Sequence, residues 1–405
     1  MDKGQRQRDV ERIARLTDAL ERSNLDALVC TIPTNVLLIC GYWPVIGTSL
    51  AVVTRHGSVH LLAPDDEAEL AHDSWADVVE TFSLGSLAEL TTAVDVLRAP
   101  LTTIVKDLGR RGSIVVGCET GPFVEPTSYV GMHFFGSAVQ ELLTGILSPD
   151  AVKPADNVLR QLRSILTPSE QAQVRIACNL AGSAFLHRGK TLRPTLKETD
   201  VATLFRASLA SHEGLANNGV RMGGAVFCMS GPNAARAYAA YQRSRARELE
   251  CGDLVLVHCN SYLNGYWTDI TRTFCLSPLD EQKRRMYEAI LAARAAALAA
   301  IRPAVRAADV DRAARTVLSD YGFRKEFKHG LGHGVGFAAI NHNAVPRLHP
   351  ASDDLLQPGM IFNIEPAIYI DDVGGIRHCD MVLLTNDGPE VLTPFQSTVE
   401  SLTIT

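Results

Sequence analysis

Hydrophobic positions along the chain switch between two rhythms. Residues 5–23 repeat apolar side chains at helical spacing and predict an amphipathic helix. LDALVCTIP, SLAVVTRHGSVHLLA and SIVVGCE are short β-rich runs punctuated by Gly and Pro, with helical patterns such as EAELAHDSW and LAELTTAVDVLRA between them. This alternation predicts an α/β domain over residues 1–150. SPDAVKPAD, residues 148–156, carries two Pro among polar residues and reads as a linker. The stretch from 158 onward predicts long helices, restarted at Thr167-Pro168-Ser169-Glu170 with Pro168 in the first turn. Another helix follows in KETDVATLFRASLASHEGL, then strands, then helices over 280–301 and 308–321, and finally Gly-rich and strand-like material from 327 to 400.

Composition narrows the class. The 405 residues allow two domains. With 46% hydrophobic and 21% charged residues the chain is ordinary for a globular protein. A net charge of −6 gives no footprint for nucleic acid. No run fits a signal peptide or a membrane span, and the nine cysteines are scattered without CxxC pairs. The expectation is therefore a cytoplasmic protein with reduced thiols, acting on a small molecule, with neither nucleic acid nor membrane as partner.

LVLVHCNSYLNGYWTDITRTF, residues 254–274, sets an Asn-Gly pair between two runs of β-formers. That is a hairpin signal, because a type I′ turn needs positive φ at both central residues. With Asn264 and Gly265 in the turn, Leu263 opposes Tyr266, Asn260 opposes Asp269 and His258 opposes Thr271. Strand alternation then puts these last four on one face and Cys259 and Cys275 on the other. His258 and Asp269 become diagonal neighbours able to meet one ligand, or simply to hydrogen-bond within a polar face.

Further ligand-type residues follow. FKHGLGHGVGF holds His329 and His333 among four glycines. The glycines permit close backbone approach, and no GxGxxG opens a helix here to cradle phosphate. His342 and His349 lie in a loop-like stretch. MIFNIEPAIYI places Glu365 in an apolar strand, costly to bury without a partner. IRHCDMVLLT returns as a strand with Arg377, His378, Cys379 and Asp380, where Arg377 could serve as the structural partner of Glu365 or Asp380.

The stretches GDLVLVH…GYWTDITRTF, HGLGHGVG, NIEPAIY and GIRHCDMVLLT resemble the M24 family of methionine aminopeptidase, aminopeptidase P, prolidase and creatinase. LDALVCTIPTNVLLICGYWP is similar to the N-terminal domain of its creatinase/prolidase branch. The resemblance spans nearly the whole chain. It implies an α/β N-terminal domain over 1–150 and an α+β pita-bread catalytic domain over 158–405. Peptidases of the family hold two metal ions with two Asp, one His and two Glu. Carried over, the second Asp is Asp269, the His is His333 and the first Glu is Glu365, while His258 stands at the first Asp position and Cys379 at the last Glu. Two close cations need bridging carboxylates, so this set implies one divalent ion, with Zn or Fe favoured over Mn or Co by the softer donors. Tyr238 stands where these peptidases carry a His after SGPN, and His342 arrives later than the family spacing, which weighs against Xaa-Pro peptides.

Three functions follow. The first is a mononuclear metalloenzyme hydrolysing a C–N bond (amide, amidine or Xaa-Pro-like), with Glu365 and Arg377 at the centre, His342 or His329 as acid–base group, and iron lyase or oxidative chemistry as a variant. The second is a metal-free hydrolase resembling creatinase or ectoine hydrolase, in which His333 and Glu365 move protons and Cys379 could act as nucleophile. The third is a non-catalytic pita-bread binding domain. The resemblance also implies a homodimer in which Tyr42 and Trp43 line the partner's pocket with substrate-binding Tyr238.

Overall fold

A computed structural model describes residues 7–45, 48–83, 92–109, 113–120, 138–210, 220–238, 244–341 and 343–405. They divide into two compact units, the first ending at residue 163 and the second running from 164 to 405.

The first unit contains α1 (Val10–Arg22), β1 (Ala27–Cys30), α2 (Pro33–Cys40), β2 (Leu50–Thr54), β3 (Val59–Pro64), α3 (Ala68–His72), β4 (Val78–Phe82), α4 (Ala93–Gly109), β5 (Val116–Cys118), α5 (Ala138–Thr144), β6 (Val152–Pro154) and α6 (Asp156–Ser164). Helix α1 starts where the Asp9 side chain accepts the Arg12 N–H, and it buries Leu16, Ala19 and Leu20. The sheet has the order β4-β3-β2-β1-β5-β6, with β1 antiparallel to β2 and parallel to β5. Val29, Val52, Leu62, Leu101 and Val116 lie at its core. The segment expected to be a linker is part of this sheet: Val152 pairs with Val116 and β6 forms the edge. Pro154 fits because an edge strand leaves one row of N–H groups unpaired, so a missing donor costs nothing there, and Pro149 opens the short 3-10 turn that precedes the strand.

The second unit contains α7 (Pro168–Gly189), α8 (Glu198–Ala210), β7 (Met222–Ser230), β8 (Leu254–Leu263), β9 (Tyr266–Trp267), β10 (Ile270–Leu276), α9 (Glu281–Ala300), α10 (Ala307–Asp320), β11 (Ile361–Ile364), β12 (Ala367–Ile370), β13 (Gly374–Arg377), β14 (Asp380–Thr385), β15 (Gly388–Val391), α11 (Val399–Leu402) and β16 (Thr403–Ile404). Thr167 and Glu170 form a reciprocal capping box on α7, with Pro168 in its first turn. The main sheet runs β16-β10-β8-β7, a second sheet runs β11-β14-β15, and β12 pairs with β13 alone. Helices α7 and α8 lie against β8 and β7, and α9 packs on α10. Among the described residues no helix is long and apolar enough to cross a membrane.

The hairpin has the expected register. Leu263 pairs with Tyr266 and His258 with Thr271, while Asn264 and Gly265 both have positive φ. The second pair of runs departs from expectation. NIEPAIY and GIRHCDMVLLT each break into two strands that join different sheets. Ile364 pairs with Asp380 and Ala367 with Arg377, so both breaks fall at the same level and set Glu365 opposite Cys379.

Candidate metal centre

Backbone groups at these breaks are taken up by other elements. The Glu365 N–H donates to the Leu331 carbonyl at 2.8 Å, and the Cys379 N–H to the Thr271 carbonyl at 3.0 Å. The first contact ties the Glu365 break to HGLGHGVG, and the second ties the Cys379 break to β10. Three chain segments thereby converge on the hairpin carrying Asp269.

His333 is fixed by the glycines beside it. A Cβ at 332 would strike the Asn363 backbone carbonyl, and one at 334 would strike the Val345 carbonyl. Helix α10 pins the same loop: Asp311 accepts the Leu331 N–H at 3.0 Å, and Arg315 reaches the His329 carbonyl.

Ligand atoms of Asp269, Glu365 and Cys379 lie within 4.8 Å of one another, all on buried residues. His333 Nε2 is 3.6 Å from Asp269 Oδ2. His333 Nδ1 is 3.0 Å from the Gly334 carbonyl, an acceptor, so Nδ1 carries the proton and Nε2 the lone pair. Asn363 joins these two ligands, taking the His333 N–H on its oxygen at 2.7 Å and donating to Asp269 Oδ2 at 3.0 Å. Asp269 Oδ1 finds no hydrogen-bond partner among the described residues.

The electrostatics are unbalanced. Burial raises the Asp269 carboxyl above its ordinary range, against the opposing pull of Arg377. Burial likewise raises Glu365, with Arg377 lowering it and Asp269 raising it. Burial and then Arg377 push His258 well down, so it is neutral. Lone pairs from two carboxylates and an imidazole thus face each other in a dry site. One divalent cation fits this set, because it replaces acceptor–acceptor repulsion with coordination. His258 lies beside the group, its Nδ1 3.0 Å from Thr271 Oγ1 and 3.5 Å from Asp269 Oδ1.

Other expected site residues are placed differently. Arg377 approaches Glu365, Nε to Oε2 at 3.8 Å, and not Asp380. Cys379 is unsuited to be a nucleophile. Its thiol donates to the Asp269 main-chain carbonyl at 3.1 Å, and burial with two adjacent carboxylates pushes it well above the ordinary thiol range. Both ring nitrogens of His329 are engaged, Nδ1 by the Gly330 carbonyl at 2.8 Å and Nε2 by the Tyr369 hydroxyl at 3.0 Å. It orients Tyr369. Tyr238 packs at 5.6 Å on the Tyr369 ring, is 44% exposed, and is covered by the Lys328 ammonium. Tyr42 is buried in the first unit with its hydroxyl on Glu67, which spends its polar end internally, and Trp43 is half-buried there. His342 lies outside the described residues.

Asn363 and Tyr369 escaped the sequence reading. Asn363 had a signal, as the lone polar side chain in the apolar strand IFNI. Tyr369 had none, because an aromatic residue in a strand ordinarily means packing.

With two carboxylates and a thiol within 4.8 Å of one another and an imidazole 3.6 Å from one of them, all buried, the second unit has the donor set of a metallohydrolase. The chain belongs to metallopeptidase family M24: that family's model matches residues 172–386, and the creatinase/prolidase N-terminal domain matches residues 12–165. It is a hydrolase of that family with the pita-bread fold, whose members use divalent metal ions. It is 26% identical to an Xaa-Pro dipeptidase of Pyrococcus horikoshii over 95% of this chain and 97% of that protein. The solved prolidase of that organism superposes with a TM-score of 0.74 at 26% identity, covering 95% of this chain and 98% of the other. A putative dipeptidase of Bacillus subtilis, YkvY, is 41% identical over 36% of this chain and 40% of its own length.

Proposed function

We propose that this protein hydrolyses an amide C–N bond in a small, dipeptide-like substrate at a single divalent ion held by Asp269, His333, Glu365 and Cys379. The carrying observation is the convergence of Asp269, Glu365 and Cys379 donors within 4.8 Å, with His333 Nε2 3.6 Å from Asp269. Relatives named Xaa-Pro dipeptidase support the dipeptide class. The sulfur donor and the lost carboxylates favour Zn or Fe over Mn or Co.

A divalent ion bound by these residues would supply Lewis-acid polarisation of the scissile carbonyl and a more acidic water. The protein's own groups position and exclude. Asn363 locks Asp269 and His333 in mutual register. His329 holds the Tyr369 hydroxyl, and Tyr238 with Lys328 forms an exposed aromatic and cationic wall beside it. That wall stands where the family's peptidases carry a histidine, which favours a substrate held by stacking and by a negative charge.

Elemental analysis of protein purified without chelators tests the reading. About one Zn or Fe per chain is expected, lost in Asp269→Ala together with turnover of a panel of proline and non-proline dipeptides. Metal-free protein that still turns over these substrates would move the assignment to acid–base hydrolysis, for which Arg377 already supplies a buried positive charge beside Glu365.

A further inference from the structure

The acidic side chain that opens α8 does not serve that helix. Asp200 does so, taking the Lys197 N–H on its carboxylate at 3.0 Å. Glu198 is fully buried and is left to other segments. Its Oε1 accepts the Ser230 N–H at 2.6 Å and the Ser230 hydroxyl at 2.8 Å, and its Oε2 accepts the Asn233 side-chain amide at 2.8 Å and the Arg245 N–H at 2.7 Å. The Glu198 N–H donates to the Arg247 carbonyl at 3.0 Å, and the Arg247 guanidinium returns to Ser230 Oγ at 2.8 Å. One carboxylate thus fixes the chain at Ser230, at Asn233 and again at Arg245.

What it fixes leads to the substrate side of the site. The short 3-10 turn Gly231–Arg236 lies on β13: a Cβ at Gly375 would strike the Ala234 carbonyl, and one at Gly374 would meet the Gly231 carbonyl at 3.2 Å. Turn and strand therefore meet backbone to backbone, and packing this close passes a displacement on instead of absorbing it. Just past the turn the Ala237 carbonyl faces Arg377 Nη1 at 3.5 Å, and Tyr238 follows with its ring 5.6 Å from that of Tyr369. Tyr369 itself pairs with Gly375 across β12 and β13. Both rings of the aromatic wall are thus referred to one turn, and none of these contacts passes through Asp269, His333, Glu365 or Cys379.

We propose that Glu198 is a positioning residue for substrate binding: it sets the Gly231–Arg236 turn so that Tyr238 stands against Tyr369. This rests on the substrate reading above. A glutamate that only stabilised the scaffold would act on folding alone, whereas one that places Tyr238 acts on substrate binding, and only while the Tyr238 ring is there to be placed.

Two measurements on the full-length protein test it. Hydrogen exchange needs neither substrate nor metal. Glu198→Gln turns an amide donor toward groups that all donate, so exchange over residues 230–238 rises about tenfold or more while β8 and β10 exchange as in wild type. In steady-state kinetics on the dipeptide panel, Glu198→Gln and Tyr238→Ala each raise KM about tenfold with kcat changed less than about threefold, and the double variant is no worse than either. In a Tyr238→Phe background, which keeps the ring, Glu198→Gln retains its full effect. Additive losses overturn the proposal, because the two residues then act independently. Unchanged exchange over 230–238 in folded Glu198→Gln overturns it as well. If that variant does not fold, Asn233→Ala, which removes a single donor from the carboxylate, takes its place with the same outcomes deciding. A wild type that turns over no dipeptide sinks the substrate class proposed above, and the exchange result then decides by itself whether Glu198 sets the turn.

Discussion

Asp269 and Asp380 are both buried, and both lie where the hairpin β8–β10 meets β13 and β14. Their surroundings push them in opposite directions. Asp380 would be raised by burial, but Arg272, His378 and Arg294 hold it well below the ordinary carboxylate range. It accepts from Arg272 Nη2 at 2.6 Å and Thr393 Oγ1 at 2.7 Å, with His378 Nε2 at 3.4 Å. Asp269 has one good donor, the Asn363 amide, and burial raises it. A carboxylate whose charge is answered by the fold is structural. One that burial raises despite the pull of Arg377 is only partly answered by the chain, and that contrast separates site from scaffold here.

The contrast can be broken most forcefully at Asp380. Asp380→Asn leaves the fully buried Arg272 guanidinium without its counter-charge and should cost about 3–5 kcal/mol of stability, read as a fall in the denaturant midpoint. A change near zero would mean that Arg272 is compensated by backbone carbonyls alone, and the two aspartates would no longer be opposites.

The pH dependence sharpens the comparison. Asp380 has a depressed folded pKa, so its contribution is present above the unfolded value of about 4 and lost as pH falls through the folded one. Asp269 and Glu365 have raised folded values, so the metal-free protein loses stability from about pH 4 upward as pH climbs through them. Melting curves of metal-free protein should therefore descend toward neutral pH, and Zn²⁺ should abolish the descent. A metal-free protein that grows more stable through neutrality would refute the unanswered-charge account.

The smallest effect on the metal-free protein is expected at Asp269 itself. Asp269→Asn should leave chelated protein as stable as wild type, or more stable by about 1 kcal/mol, because it removes a charge the fold does not balance. The same variant should lose stabilisation by the metal, about 2.7 kcal/mol at a hundred times the dissociation constant in wild type. A large loss in chelated protein would show that Asp269 is part of the scaffold after all.

Much of the site was legible because its signals are local. A Glu in an apolar strand, two His among glycines and a carboxylate beside an Asn-Gly turn are each costly or conformationally specific in their own few residues. What was not legible depended on neighbours far along the chain. The contact of His329 with the Tyr369 hydroxyl joins residues forty positions apart. Cys379 could be ligand, nucleophile or inert on residue type alone, and only the fold shows its burial among carboxylates. Segment 148–156 looked like a linker because sequence does not say that Pro154 lies on an edge strand.

By itself the sequence determined the β8–β10 register, since Asn264 and Gly265 are suited to positive φ and the pleat then assigns every side chain a face. It also set the donor inventory: two carboxylates, histidines and a thiol where four carboxylates and a histidine would hold two ions. Tertiary structure alone decided that paired breaks bring Glu365 opposite Cys379, that Asn363 bridges Asp269 to His333, and that Arg377 faces this cluster while Arg272 and Arg294 face Asp380. The reason is range. Turn geometry and strand alternation are settled by steric contacts a few residues apart, whereas the balance of a buried charge depends on which distant segments are packed around it.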